Sequence, residues 1–163
     1  MNKLIISYSV MKVKYAHQEQ YPIGYQSDGA AGIDLRAVEL HFNYNPENRT
    51  FGVIKIPPVT PRSVKTGVSV EIPKGYFGLL CLRSSMGKKS LRLLNTVGVI
   101  DSDYRGEIVL QVVNDGDNVV EIERFDRIAQ LVLIPVIQPT LEFVEELSET
   151  ERGSGGFGST GSK

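Results

Sequence analysis

Between two apolar runs, residues 95–108 read NTVGVIDSDYRGEI, a stretch that gathers an Asn, two Gly, two Asp and a Tyr. Val97, Val99 and Ile100 favour strand, while Gly98 and Gly106 let another molecule approach the backbone closely. The stretch reads as a bent hairpin with arms 95–101 and 104–112 and Ser102-Asp103 near the tip. Such a ribbon can offer main-chain N–H and C=O groups to a planar ligand while Asp101 and Tyr104 project beside it. An ordinary hairpin with a polar tip would carry the same residues. Arg83-Ser84-Ser85 follows a strand-like run and suits either a phosphate cradle or a capped short helix beside a solvated Arg. Gln130 stands among Ala, Leu and Val, where an amide needs partners from ligand or from backbone. Near the C-terminus, Arg152 and the lone aromatic Phe157 lie in a Gly/Ser-rich tail. They suit an arm that stacks on a flat face and meets negative charge, although a disordered tail has the same composition.

These residues need a β scaffold. Residues 2–15 alternate apolar and polar, and no long stretch carries helical periodicity. A loop marked by Pro22, Gly24, Asp28 and Gly29 leads to AAGIDLRA, where Asp34 lies between Ile33 and Leu35. A carboxylate so placed either faces solvent or is buried with a partner, and the pattern alone favours solvent. VELHF and FGVIKI, flanking NYNPENRT, read as a surface hairpin, SVKTGVSVEI as one alternating strand and YFGLLCLR as a nearly continuous buried one. EIVLQVVN and VVEIER are strands joined by the turn DGDN. RFDRIAQLVLIPV, with Arg127 and Gln130 at its head, is apolar enough to be covered on both faces, inside the fold or between subunits. TLEFVEEL is expected to close the globule. The division is therefore a β domain over 1–147 and an arm over 148–163, which holds five Gly and four Ser and cannot fold alone.

Composition narrows the partner classes. In 163 residues, 18 basic and 19 acidic side chains leave a net charge of −1, which argues against a protein that grips long nucleic acid. Hydrophobic residues at 41% supply a core for one domain. The single cysteine, Cys81, lies in an apolar run and reads as a buried core thiol. His17 and His41 match no zinc spacing. MNKLIISYSVMKVKY is too short and too polar for a signal or membrane segment, so no membrane association and an intracellular, cytoplasmic location are expected.

Five stretches stand in order: AGIDLRA (31–37), RSSMG (83–87), Asn95–Ile108, RIAQ (127–130) and RGSGGFGSTG (152–161). The set resembles the five motifs of the trimeric dUTP pyrophosphatase (dUTPase) family from about residue 10 to the C-terminus. GVIDSDYRG and RGSGGFGSTG carry most of the specificity. The resemblance implies an all-β, jelly-roll-like distorted barrel and a homotrimer whose active sites are shared between chains, the Gly-rich arm closing over one of them. It implies hydrolysis of dUTP to dUMP and pyrophosphate by in-line attack of water on the α-phosphorus, with Asp101 as the water-activating carboxylate. Asn95 and the backbone of Gly98, Val99 and Ile100 would read the uracil edge, with Val109 alongside, Tyr104 under the deoxyribose and Phe157 over the base. Arg83, Ser84, Ser85, Gln130, Arg152, Gly158, Ser159 and Thr160 match phosphate ligands, and Asp34 a supporting carboxylate. Magnesium is implied as a companion of the triphosphate, held by phosphate oxygens and water with no direct protein ligand. Two features depart from the family: Ser85 stands where many members have Gly, and the segment from Asp34 to Arg83 is longer, with NYNPENRT as the insert. A dCTP deaminase-like enzyme of the same fold and a nucleotide-sensing interaction protein are the alternatives, but the deaminase lacks such an arm and the sensor would not need Asp101.

Overall fold

Short alternating runs broken by Gly, Pro and Asn can build only short strands, which must bury their apolar sides by stacking sheets on one another. The computed structural model describes residues 10–40 and 53–156. The 43–50 insert, the alternation over 2–9 and the tail positions Phe157, Gly158, Ser159 and Thr160 lie outside the described residues. In chain order the elements are β1 (Lys12–Tyr15), β2 (Ile33–Arg36), β3 (Glu39–Leu40), β4 (Val53–Ile56), β5 (Arg62–Lys65), β6 (Val68–Glu71) and β7 (Tyr76–Leu82). Then follow α1 (Ser84–Gly87), β8 (Leu91–Leu93), β9 (Gly98–Ile100), β10 (Val109–Asn114), β11 (Val120–Glu123) and β12 (Arg127–Pro135).

The strands make a jelly-roll-like β fold from two four-stranded sheets, β3-β5-β10-β8 and β2-β12-β7-β9, and two pairs, β1-β6 and β11-β4. Leu35 and Ile128 from one large sheet join Val64 and Leu110 from the other, with Ile56 and Ile122 from the β11-β4 pair, in a single core. β12 is the spine of the sheet that matters for function. It pairs antiparallel with β2 through Gln130↔Asp34 and with β7 through Gln130↔Cys81. Its first half is covered, with Ile128, Ala129 and Leu131 buried, whereas Val132 to Ile134 are half-buried.

Several local expectations change. The arms of the 95–112 ribbon do not pair with each other: β9 lies along β7, whereas β10 lies between β5 and β8, so the ribbon arches from one sheet to the other. β3 and β4 do not form a hairpin, since β3 pairs with β5 and β4 with β11. The run SVKTGVSVEI splits into β5 and β6, because Thr66 Oγ1 donates to Ile108 O at 2.7 Å and Gly67 turns the chain at φ +69°. DGDN also crosses sheets, and the fully buried Asn114 organises the crossing. Its Nδ2 donates to Ile56 O at 2.9 Å and Asn118 O at 2.7 Å, while its Oδ1 accepts from Gly116 N–H at 2.9 Å. Along β7 only Gly78 and Leu80 are fully buried, and Cys81 is half-buried. TLEFVEEL does not close its own globule. Residues 136–156 have no strand or helix and leave Ile137, Leu141, Phe143 and Leu147 at 89%, 74%, 93% and 87% exposure.

Candidate active site

β2 turns its Asp34 toward the end of β7, and the carboxylate is buried at 6% exposure, against the solvent-facing expectation. It can be buried because two cations reach it: Arg127 Nη1 is 3.2 Å from Oδ2 and Arg83 Nε is 3.4 Å from Oδ1. One carboxylate between two guanidinium groups leaves a local excess of one positive charge. Arg83 occupies the N-cap position of α1 with extended backbone and no side-chain cap bond, so neither serine plays the capping part. These groups open into a cavity of about 260 Å³ lined by Gln26, Ala30, Ala31, Gly32, Asp34, Arg83, Ser84 and Gln130. The lining is a cation, a hydroxyl, two amides and the paired Asp34 carboxylate around small side chains, and its donors suit phosphate oxygens. Arg83, Ser84, Gln130 and Asp34 are thus brought together, whereas Ser85 is exposed and does not line the cavity.

A second cavity, of about 180 Å³, is lined by Val99, Ile100, Asp101, Tyr104, Glu107, Ile108 and Val109. Its shape comes from the arch between β9 and β10. Tyr104 N–H donates to Asp101 O at 3.2 Å, and Arg105 Nη1 donates to Ser102 O and Tyr104 O at 2.7 and 3.0 Å, closing the tip into a tight turn. The Tyr104 ring lies over Gly106, with its hydroxyl donating to Glu107 O at 3.0 Å. Glu107 Oε1 accepts from Gly67 N–H at 2.7 Å and ties the arch to the β5–β6 turn. Asp101 is exposed at the rim, free to hold a water. Gly98 is buried against Leu80, and Asn95 is exposed outside this lining, its carbonyl accepting from Val97 N–H at 2.7 Å.

The two cavities share no residue and sit toward opposite ends of β7. Arg83 follows directly on Leu82 at one end, whereas Ile100 pairs with Gly78 and Asp101 continues away from it. Five residues of extended chain separate Gly78 from Arg83, about 17 Å along the strand. Arg152 is exposed in a turn, its Nε donating to Gly155 O at 2.8 Å, and lines neither cavity.

The charged and polar groups that sequence did not single out as site residues are Gln26 and Glu107 in the linings and Arg127 behind Asp34; the small or apolar lining residues Ala30, Ala31, Gly32 and Ile108 were not singled out either. Arg127 had a signal, since it shares the RIAQ run with Gln130. Glu107 closes the Asn95–Ile108 stretch and is visible only as its last charge. Gln26 had none: it is a polar residue in a loop, drawn into place by Arg127 at a sequence separation of 101. Among the described residues no three His, Cys, Asp or Glu side chains converge on a point that could hold a metal ion, and no helix is long and apolar enough to cross a membrane.

Comparison with known proteins gives one consistent result. The dUTPase family profile matches residues 21–161. Deoxyuridine 5′-triphosphate nucleotidohydrolase of Escherichia phage T5 is 46% identical over 156 residues, covering 94% of this chain and 100% of that protein. Its counterpart from Bdellovibrio bacteriovorus is 48% identical over 138 residues, 84% of this chain and 85% of that protein. Among solved structures, Staphylococcus bacteriophage 80alpha dUTPase with dUPNHPP aligns with a TM-score of 0.77 at 29% identity, covering 93% of this chain and 98% of that one.

Proposed function

The chain belongs to the dUTPase family, and from that premise we propose that it is a dUTP diphosphatase, converting dUTP to dUMP and pyrophosphate. The observation that carries this reading is the cavity under the arch, where main-chain groups of Val99 and Ile100 stand beside Asp101 and Tyr104. Uracil would pair with the backbone at Gly98–Ile100, helped by Asn95, with Val109 at its side. Cytosine reverses a donor and an acceptor, and leaving such groups unpaired in a site built to bond them discriminates by about 10⁴–10⁵. Tyr104 would lie under the deoxyribose and leave no room for a 2′-hydroxyl.

Asp101 orients the water that attacks the α-phosphorus in line, and pyrophosphate leaves. A positioned general base contributes about 10²–10⁴-fold, so most of the acceleration comes from holding and neutralising the triphosphate. Arg83, Ser84 and Gln130 would do this from the first cavity, with Asp34 setting the guanidinium. Ser85, Arg152, Gly158, Ser159, Thr160 and Phe157 complete the proposed set from α1 and the 148–163 arm. Magnesium is assigned to the triphosphate itself, bound by phosphate oxygens and water, where it would offset phosphate charge.

Asp101 and Arg83 lie toward opposite ends of β7 and the two linings share no residue, and on that basis the complete site is assigned to the arch of one copy against the phosphate cavity of another. The exposed apolar segment after Pro135 supports the same assembly, since Ile137, Leu141 and Phe143 have no cover among the described residues. We assign the homotrimer on these grounds. Complementation tests the whole reading. Asp101→Asn and Arg83→Gln should each reduce turnover at least a hundredfold with the nucleotide still bound by the first. Unfolded and refolded together in equal amounts, they should regain about a quarter of the unaltered chain's activity, as random assortment among rings of three shared sites requires. No recovery would place both groups in one chain's site, and undiminished turnover by Asp101→Asn would remove its assigned role.

A further inference from the structure

The loop between β1 and β2 is held down at several points. Ile23 N–H donates to Gln18 Oε1 at 3.1 Å, Asp34 N–H donates to Gly24 O at 3.2 Å, and Arg36 Nε and Nη2 each donate to Pro22 O at 3.2 Å. Arg36 Nη1 also donates to Phe125 O at 2.8 Å, which fixes the turn entering β12 against the same loop. The amide of Gln26 is therefore aimed. Its Nε2 donates to Gly24 O at 3.1 Å, and its Oε1 accepts from Arg127 Nη1 at 2.5 Å. This assigns each atom of the amide a partner and puts the side chain in the wall of the phosphate-side cavity.

The two guanidinium groups at Asp34 are consequently unequal. Arg127 is held by Gln26 and by Asp34 Oδ2, whereas among the described residues Arg83 has two long contacts, 3.4 Å to Asp34 Oδ1 and 3.5 Å to Arg127 O. We propose that Gln26 is a positioning residue of the phosphate-side cavity: by anchoring Arg127 on one oxygen of Asp34, it keeps that carboxylate from drawing Arg83 beyond its one long contact, so that the rest of the Arg83 guanidinium is left to meet a triphosphate. Without the Gln26 acceptor, Arg127 swings away, both Asp34 oxygens turn to Arg83, and the cavity loses its mobile cation to an internal pair. The effect falls on phosphate binding, remote from the α-phosphorus, so it appears in KM more than in kcat. This inference rests on the assignment of that cavity to the triphosphate.

The test is a double-mutant cycle on the full chain, read as kcat and KM for dUTP. Gln26→Met keeps the length of the side chain and removes the acceptor; Arg127→Gln removes the group on which Gln26 acts. Gln26→Met in the otherwise unaltered chain should raise KM about tenfold, the scale of one charge-assisted hydrogen bond at a partly exposed site, with kcat within about threefold. In the Arg127→Gln background the same substitution should change KM by less than about twofold, because its target is gone. An equal rise in both backgrounds, or no rise in the first, overturns the proposal. Thermal melts of all four proteins identify any variant whose KM shift reflects unfolding, and for such a variant Gln26→Leu supplies the same comparison. Absence of dUTP turnover by the unaltered chain overturns the functional reading itself, a result distinct from a flat cycle in an active enzyme.

Discussion

Gly106→Ala isolates the seat of the Tyr104 ring. A Cβ on Gly106 would fall 2.5 Å from Tyr104 Cζ and 2.9 Å from Cε2. Carbon atoms in contact prefer about 3.5–4.0 Å, so the ring must retreat by roughly 1 Å. The retreat breaks the 3.0 Å hydrogen bond from the Tyr104 hydroxyl to Glu107 O. That bond is worth about 0.5–1.5 kcal/mol, and its value lies toward the lower end because the side chain is half open to water. Overall stability should therefore fall by no more than about 1 kcal/mol, a small shift in a urea unfolding midpoint at constant slope. Function should suffer more, because a displacement of about 1 Å in a positioning group can cost up to about 10²-fold. With the ring displaced from its seat, it no longer closes off the place of a 2′-hydroxyl, so kcat/KM for dUTP should drop about 10- to 100-fold while that for UTP falls less. The dUTP-to-UTP ratio should shrink about tenfold, the size expected when steric rejection of a small group is relaxed. Initial rates of pyrophosphate release with each nucleotide measure it, and Tyr104→Phe, which keeps the ring and loses only the hydroxyl, should retain the ratio. If Gly106→Ala loses efficiency with the ratio intact, the Tyr104 ring does not gate the sugar.

Two further outcomes follow from the buried polar groups. Asp34→Asn leaves Arg83 and Arg127 facing each other without their anion; discounted for the exposure of both guanidinium groups, the loss should be about 1–2 kcal/mol by urea unfolding, and a loss below about 0.5 would mean that solvent already screens the pairs. The Tyr15 hydroxyl has no partner among the described residues, and burial raises its pKa above 10.0 against the smaller lowering effect of Arg36. The folded state then holds this proton more tightly than the unfolded chain, so its contribution is complete below pH 10.0 and declines as pH climbs beyond it. Tyr15→Phe should match or exceed the parent at pH 7 and lose less between pH 9 and 11 in thermal melts; parallel alkaline curves would show that Tyr15 is not responsible.

Local pattern was enough for the strand content and for the residues at the cavity rims, and it failed wherever a partner lay far along the chain. Alternation around Val99 and Val109 marked both strands, but nothing local says that β9 pairs with β7 and β10 with β5 and β8. A turn signal bends the backbone without choosing its ladder partners. Asp34 looked solvated because the cations that admit it to the interior arrive from Arg83 at the N-cap of α1 and from Arg127 on β12. Gln26 was silent for the same reason. The apolar positions of TLEFVEEL were legible as apolar, yet no described residue covers them, and one sequence read alone assigns them to its own interior by default.

β7, with a nucleoside pocket toward one end and an anion pocket at the other, has a genetic corollary on the proposed reading. Each polypeptide serves two neighbours at once, so a copy spoiled at both ends silences about two-thirds of the centres in any ring that admits it. Defects of that sort would be dominant, whereas a chain too misfolded to join a ring would be merely recessive.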